Sequence, residues 1–193
     1  YWDAGFRVIS SNRPLHKLAD FKGMKIRVNS SKVIEAQTRA VGAIPQTLAF
    51  SEVYQALQTG VVDGAETVMS NVLTQKFYEV QKHVMTLHHT HQTYAVVVNK
   101  KFWDSLPSDI RTILEGAVAD ATTYANSLAL AEEADAVDKI KASGKTQVYV
   151  PTKDEKLAFK KALVPVHQKM EGRIGKGLIQ SIYKETGFDP AKL

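Results

Sequence analysis

Two arginines stand where a charge is costly. Arg7 lies between Phe6 and Val8, and Arg27 between Ile26 and Val28, each inside a short apolar run that reads as a strand. A guanidinium in such a run is desolvated on folding and is unstable there without a partner. Its planar fork of donors fits a carboxylate bidentately. That carboxylate is either an internal acid, such as Asp63 or Glu66, or part of a bound ligand, and the residue pattern alone leaves both open.

Two other clusters offer less. His88, His89 and His91 fall at the end of an apolar stretch, and His89 and His91 would share one face of a strand, as metal ligands must. No cysteine is present, and no Glu stands in the arrangement of a zinc hydrolase, so a small metal-dependent enzyme is a minor alternative. Solvated or hydrogen-bonded imidazoles are the ordinary expectation. Gly172-Arg-Ile-Gly-Lys-Gly177 is glycine-rich and basic, but it lacks the P-loop spacing and the Ser or Thr after Lys. It also falls between two helical patterns, and it reads as a helix–helix joint. No Ser/His/Asp elbow motif appears, and no carboxylate pair can be argued from spacing. No catalytic residue, metal or cofactor is therefore expected.

The elements that must position the arginines follow from periodicity. Gly5–Ile9 alternates as a strand, Asn12-Arg-Pro14 is a turn, and Phe21-Lys-Gly23 turns into the strand Met24–Val28. Ser30 or Ser31 caps a helix carrying Val33, Ala36, Ala40 and Val41 at helical spacing, with Gly42 as its stop. Pro45–Leu48 reads as a strand, Ser51 opens a helix that ends at Gly60, and Val61–Ala65 returns as a strand or tight loop. This alternation argues for an α/β layer with crossover connections. Val84–Leu87 and Tyr94–Asn99 are expected strands, the second buried. From Pro107 to Ala142 no proline occurs, and Ile110, Ile113, Leu114, Ala117, Ala121, Tyr124, Leu128 and Ala131 keep helical spacing. A helix of that length, roughly 50 Å at 1.5 Å per residue, exceeds a small domain and is expected to bridge two lobes or bend. Gln147–Val150 is a further strand, Thr152-Lys-Asp-Glu155 a capping box, and Lys176–Thr186 a last helix stopped by Gly187.

Composition narrows the class. The 193 residues are 44% hydrophobic and 23% charged, ordinary for a folded globular chain, and carry a net charge of +5. The 25 Lys and Arg are interleaved with 20 Asp and Glu, with no dense basic stripe of the kind nucleic acid requires. No apolar run approaches the roughly 20 residues of a membrane span. The lack of cysteine suits either a reducing or an oxidising compartment. A start at Tyr1 without Met points to a processed or trimmed chain.

Several blocks, in order and spacing, resemble one family. Gly5-Phe-Arg7, Ser11-Asn-Arg-Pro14 and Gly23-Met-Lys-Ile-Arg-Val28 are followed by Ala49-Phe-Ser-Glu-Val-Tyr-Gln-Ala-Leu-Gln-Thr-Gly-Val-Val-Asp-Gly64, Lys76-Phe-Tyr-Glu-Val80 and Val98-Asn-Lys-Lys-Phe-Trp103. Together they resemble the periplasmic binding proteins of tripartite ATP-independent periplasmic (TRAP) transporters, the DctP-type family, over nearly the whole chain. The resemblance implies a two-lobed α/β fold of the periplasmic-binding-protein kind (type II-like), with an N-terminal lobe segment preceding Tyr1. Residues 5–92 and 133–186 would form the second lobe, and 93–132 the strand and long helix of, or bridging to, the first. It implies Arg27 as the anchor of a substrate carboxylate, Arg7 as its helper and Phe50 as a pocket wall. Thr67 stands where the family frequently has Asn; Asn29 or Ser30 would supply an alternative donor, and Tyr94 lies near the lobe crossing. The implied partners are a small carboxylate ligand and the subunits of a membrane permease, and the implied location is the periplasm. Capture by lobe closure needs no covalent step, so the resemblance implies a non-enzyme. A two-lobed sensor uncoupled from transport is the alternative.

Overall fold

In a computed structural model describing residues 1–193, the sheet is assembled on its longest strand, β1 (Trp2–Ser11). β2 (Lys25–Val28), β3 (Ile44–Thr47), β4 (Gly64–Val68), β5 (His83–Met85), β6 (His91–Tyr94) and β7 (Gln147–Tyr149) follow along the chain. In space the order is β3-β2-β4-β1-β5-β7, with β6 pairing β1 off this path. β2 is parallel to β3 and β4, joined to them through α1 (Lys32–Ala40) and α2 (Val53–Gln58), the crossovers that parallel pairing demands. β1 is antiparallel to β4 and β5, which makes the sheet mixed. At its start β1 leaves these partners and pairs β6 instead, Trp2 opposite Tyr94 and Phe6 opposite His91, with a register shift between Asp3 and Phe6.

Alternation along the strands separates two cores. Val8 and Ala65 face a cluster with Val53, Leu57, Met69 and Phe77, supplied by α2, α3 (Met69–Thr74) and α4 (Phe77–Val80). Ile9, Ile26, Val28 and Met85 face a second cluster with Ile34 of α1 and Phe159. Three strands close tightly at Gly64: a Cβ there would lie 2.2 Å from the Ser10 carbonyl oxygen and 3.1 Å from Ile26 Cδ1, so only glycine lets β1 and β2 flank β4 at this height.

Beyond the sheet, α5 (Lys100–Ser105) is capped by Asn99 and leads into α6 (Ser108–Ala142), whose 35 residues match the length read from periodicity. Only Ala136 and Ile140 of α6 are buried, while Ile113, Val118, Tyr124 and Leu130 stand exposed. α7 (Lys153–Ile174) begins with the Thr152–Glu155 capping box, and Gly175, at φ 97°, separates it from α8 (Lys176–Thr186), which ends at left-handed Gly187. The glycine-rich segment is thus a helix–helix joint.

Two expectations are corrected. The strand expected at Tyr94–Asn99 is instead His91–Tyr94, and Val96, Val97 and Val98 are exposed, because β6 pairs only β1, whose first residue, Trp2, already lies opposite Tyr94. Helix α2 starts at Val53 rather than Ser51, because residues Phe50–Glu52 first wind into a 3-10 turn closed by the Glu52 side chain on the Ala49 amide.

Candidate functional site

The two arginines leave the sheet on opposite faces. Arg27 alternates with Ile26 and Val28, so it shares the face of Ala65, which lies opposite it, while Arg7 shares the face of Ile9 and Glu66. Both are buried to within a tenth of their surface.

Arg7 has an internal partner. Its Nη1 donates to Glu66 Oε2, with the two side chains 10% and 3% exposed. Glu66 Oε1 accepts no hydrogen bond and lies 3.6 Å from His89 Nε2. Of the two acids weighed from the sequence, Glu66 is therefore the one that meets an arginine. Asp63 instead accepts from the Lys25 amide at 2.8 Å and from Asn12 at 3.3 Å, stitching β2 to the turn before β4.

Arg27 has no ion-pair partner. Nε and Nη2 both donate to the Leu48 carbonyl, at 3.2 and 2.9 Å, and the guanidinium carbon stands 5.6 Å from the centre of the Phe50 ring. These contacts clamp the side chain and commit one edge of the fork. Nη1 makes no hydrogen bond and is not sealed from solvent. Burial lowers the guanidinium's pKa, the nearby Glu66 charge opposes the shift and Arg7 adds to it. The result is a fixed, partly desolvated cation with donors to spare, which is what bidentate capture of a carboxylate requires.

The remaining residues named from the sequence sort around this pair. Phe50, 40% exposed, presents one ring face to Arg27 and packs edge-to-face with Phe77, the ring centres 6.2 Å apart. Thr67 is buried on Arg27's face of β4, its Oγ1 accepting from Asn71 Nδ2 at 2.9 Å. Asn29, just past Arg27, has a buried Oδ1 with no hydrogen-bond partner. Ser30 is exposed and takes no cap, the helix being capped by Ser31. Tyr94 is half exposed, bonds Gln92, and lines a groove of about 470 Å³ with Trp2, Asn71 and Tyr124. Sequence reasoning missed the Leu48 carbonyl, His89's approach to Glu66 and Asn71; only the polar character of Asn71 four residues after Thr67 could have signalled the last.

The histidines diverge. His88 turns to Glu133 at 3.3 Å, His89 to Glu66 and His91 to Asp3 at 2.9 Å, each a different carboxylate. The Phe6 ring lies between His88 and His91, 5.5 and 5.1 Å away.

Residues 1–173 match the model of "Bacterial extracellular solute-binding protein, family 7". The chain is 50% identical over 186 residues to the C4-dicarboxylate-binding periplasmic protein DctP of Rhodobacter capsulatus, covering 96% of this chain and 56% of that protein. A TRAP periplasmic solute-binding protein from Shewanella oneidensis, solved with bound succinate, superposes with a TM-score of 0.91 at 36% identity, over 93% of this chain and 59% of that one. Another from Sulfurospirillum deleyianum, also with succinate, gives 0.90 at 41% identity, over 94% and 60%. The chain thus spans little more than half the length of these relatives.

Proposed function

We propose, from the premise that this chain belongs to the bacterial extracellular solute-binding proteins of family 7, that it forms the larger part of a TRAP-transporter binding protein that captures a small organic acid. Arg27 anchors the ligand carboxylate through the outer edge of its fork, and Phe50 walls the pocket. The single observation that carries this reading is that Arg27 is buried, clamped by Leu48, and without an acid of its own, whereas Arg7 has Glu66. Arg7 then acts less as a direct ligand than as the fixed cation of a neutral pair beneath the site. Relatives with bound succinate support a C4-dicarboxylate or a close analogue as the ligand.

The same reading assigns residues 5–92 and 133–186 to one lobe and 93–132 to a structure shared with another. It is supported by the apolar surface left open along that segment, from Val96–Val98 through Phe102, Ile113 and Tyr124 to Leu130, which asks for a second packing layer. The ligand closes the two lobes because it contacts both, and only such differential contact shifts an open–closed equilibrium. The closed form is delivered to a membrane permease from the periplasm. No helix of the chain is long and apolar enough to cross a membrane. Capture and release make and break no covalent bond, so the role is that of a carrier.

The test is Arg27→Ala in the complete two-lobed protein, titrated with succinate in a calorimeter. Loss of measurable binding with an unchanged melting temperature is the expected result. Unchanged affinity would overturn the assignment of Arg27 as the anchor.

A further inference from the structure

One hydrogen bond beside Arg27 deepens this reading, and the inference rests on it. Thr67 Oγ1 accepts from Asn71 Nδ2 at 2.9 Å, and the hydroxyl makes no other hydrogen bond. A hydroxyl carries one proton and two lone pairs. With the Asn71 amide on a lone pair, the Thr67 proton is unspent and the oxygen is set to donate. The strand register aims it: Val8 lies opposite Thr67 and Arg27 opposite Ala65, two residues earlier on β4, so Arg27 and Thr67 share one face in adjacent pleats. Arg27 contributes Nη1, free of any internal acceptor. Asn71 itself is the third residue of α3, on the wall of the groove that also holds Tyr94 and Trp2.

We propose that Asn71 is a positioning residue: it fixes the Thr67 hydroxyl as a donor, so that Thr67 and Arg27 together present donors only, to one ionised carboxylate. A subsite of oriented donors accepts a carboxylate, whose oxygens are acceptors alone, and discriminates against a carboxamide or alcohol, whose protons would face donors. An acceptor at position 71 inverts the device. Aspartate there takes the Thr67 proton, turns the hydroxyl's lone pairs toward the ligand and adds a negative charge behind it.

The experiment titrates succinate into the complete two-lobed protein and its Thr67→Ser, Thr67→Val, Asn71→Asp and Arg27→Ala variants, with melting temperatures recorded for each. Thr67→Ser keeps the donor and binds within about threefold of the parent. Thr67→Val and Asn71→Asp each weaken binding at least tenfold, a single charge-assisted hydrogen bond being of order 1.5–3 kcal/mol and 1.4 kcal/mol a decade. If Asn71→Asp lowers the melting temperature, Asn71→Ala, which removes the bond and adds no charge, decides by the same criterion. Affinity unchanged in Thr67→Val, or in the position-71 variant so chosen, overturns the proposal. Arg27→Ala reports separately on the underlying reading: binding lost there but kept in the Thr67 and Asn71 variants sinks the positioning role of Asn71 alone, and binding kept in Arg27→Ala sinks the anchor.

Discussion

The division of labour between the two arginines makes a sharp prediction about stability. Glu66→Gln removes the charge that compensates Arg7, whose side chain is only 10% exposed, and leaves a buried cation with a neutral neighbour. Breaking one side of a buried pair in this way costs about 3–5 kcal/mol. With a urea dependence of about 2 kcal/mol per molar, the unfolding midpoint falls by roughly 1.5–2.5 M. Arg7→Met costs a comparable amount for the converse reason, since Glu66, 3% exposed, loses its only hydrogen-bond donor and keeps just the His89 ring at 3.6 Å. The double variant Arg7→Met/Glu66→Leu removes both charges and fills the space with apolar volume, so it should be more stable than either single. The assay is urea unfolding followed by circular dichroism on all four proteins. Single-variant losses below about 1 kcal/mol, or a double variant no better than the sum of the singles, would refute the reasoning. Arg7 would then be a solvated cation free to serve a ligand in the way proposed for Arg27.

Three further outcomes follow from the geometry. Arg27→Lys cannot both clamp Leu48 and present a fork, so succinate binding should weaken about a hundredfold, corresponding to roughly 3 kcal/mol of charge-assisted hydrogen bonding, as read by calorimetry. Gly64→Ala sets a Cβ 2.2 Å from the Ser10 oxygen, and a strain of about 1–3 kcal/mol should lower the melting temperature by roughly 3–10 °C in differential scanning calorimetry. Burial holds His88 and His167 below the usual imidazole value of 6.5, against an opposing Glu133 and alongside Lys156 and His89 in the case of His88. The unfolded chain therefore binds more protons, and the stability present above pH 6.5 is lost as the pH falls through the depressed folded values. Melting temperatures recorded from pH 7.5 to 5 should decline on the acid side, and His88→Gln with His167→Gln should flatten the slope.

Much of the scaffold was legible because its signals are local. The Thr152–Glu155 capping box, the stops at Gly42 and Gly187 and the unbroken 35-residue periodicity of α6 each depend on neighbours within a turn or two, and each stands where the residues placed it. Apart from the two-residue shift at the start of α2, the failures were non-local. Val96–Val98 carry the β-branched run of a buried strand, yet burial needs a neighbouring strand that this chain does not bring to them. β1 looked like any short strand, and nothing in Gly5–Ile9 disclosed that it would run antiparallel through a sheet otherwise built of parallel pairs. In the site, Arg7 and Glu66 are 59 residues apart, so the sequence could name Glu66 as a partner and could not choose which arginine would take it.

That choice decides how charge is balanced. On one face of the sheet, Arg7 and Glu66 cancel; on the other, Arg27 remains, two guanidinium groups against one carboxylate leaving one positive charge. In the proposed role, one ligand carboxylate neutralises it. Burial lowers the Arg27 pKa, and the Glu66 charge, close enough to oppose that fall, steadies the buried guanidinium while no anion is bound and tempers its attraction when one is. A carrier has to release what it captures, and an anchor of two uncompensated arginines would hold an acid more tightly than one whose second arginine is already spent. For a dicarboxylate, the same arithmetic requires that the second carboxylate find its partner elsewhere, across the cleft from Arg27. On the proposed reading, lobe closure then has an electrostatic basis: the ligand's far charge is met only when the opposite wall arrives.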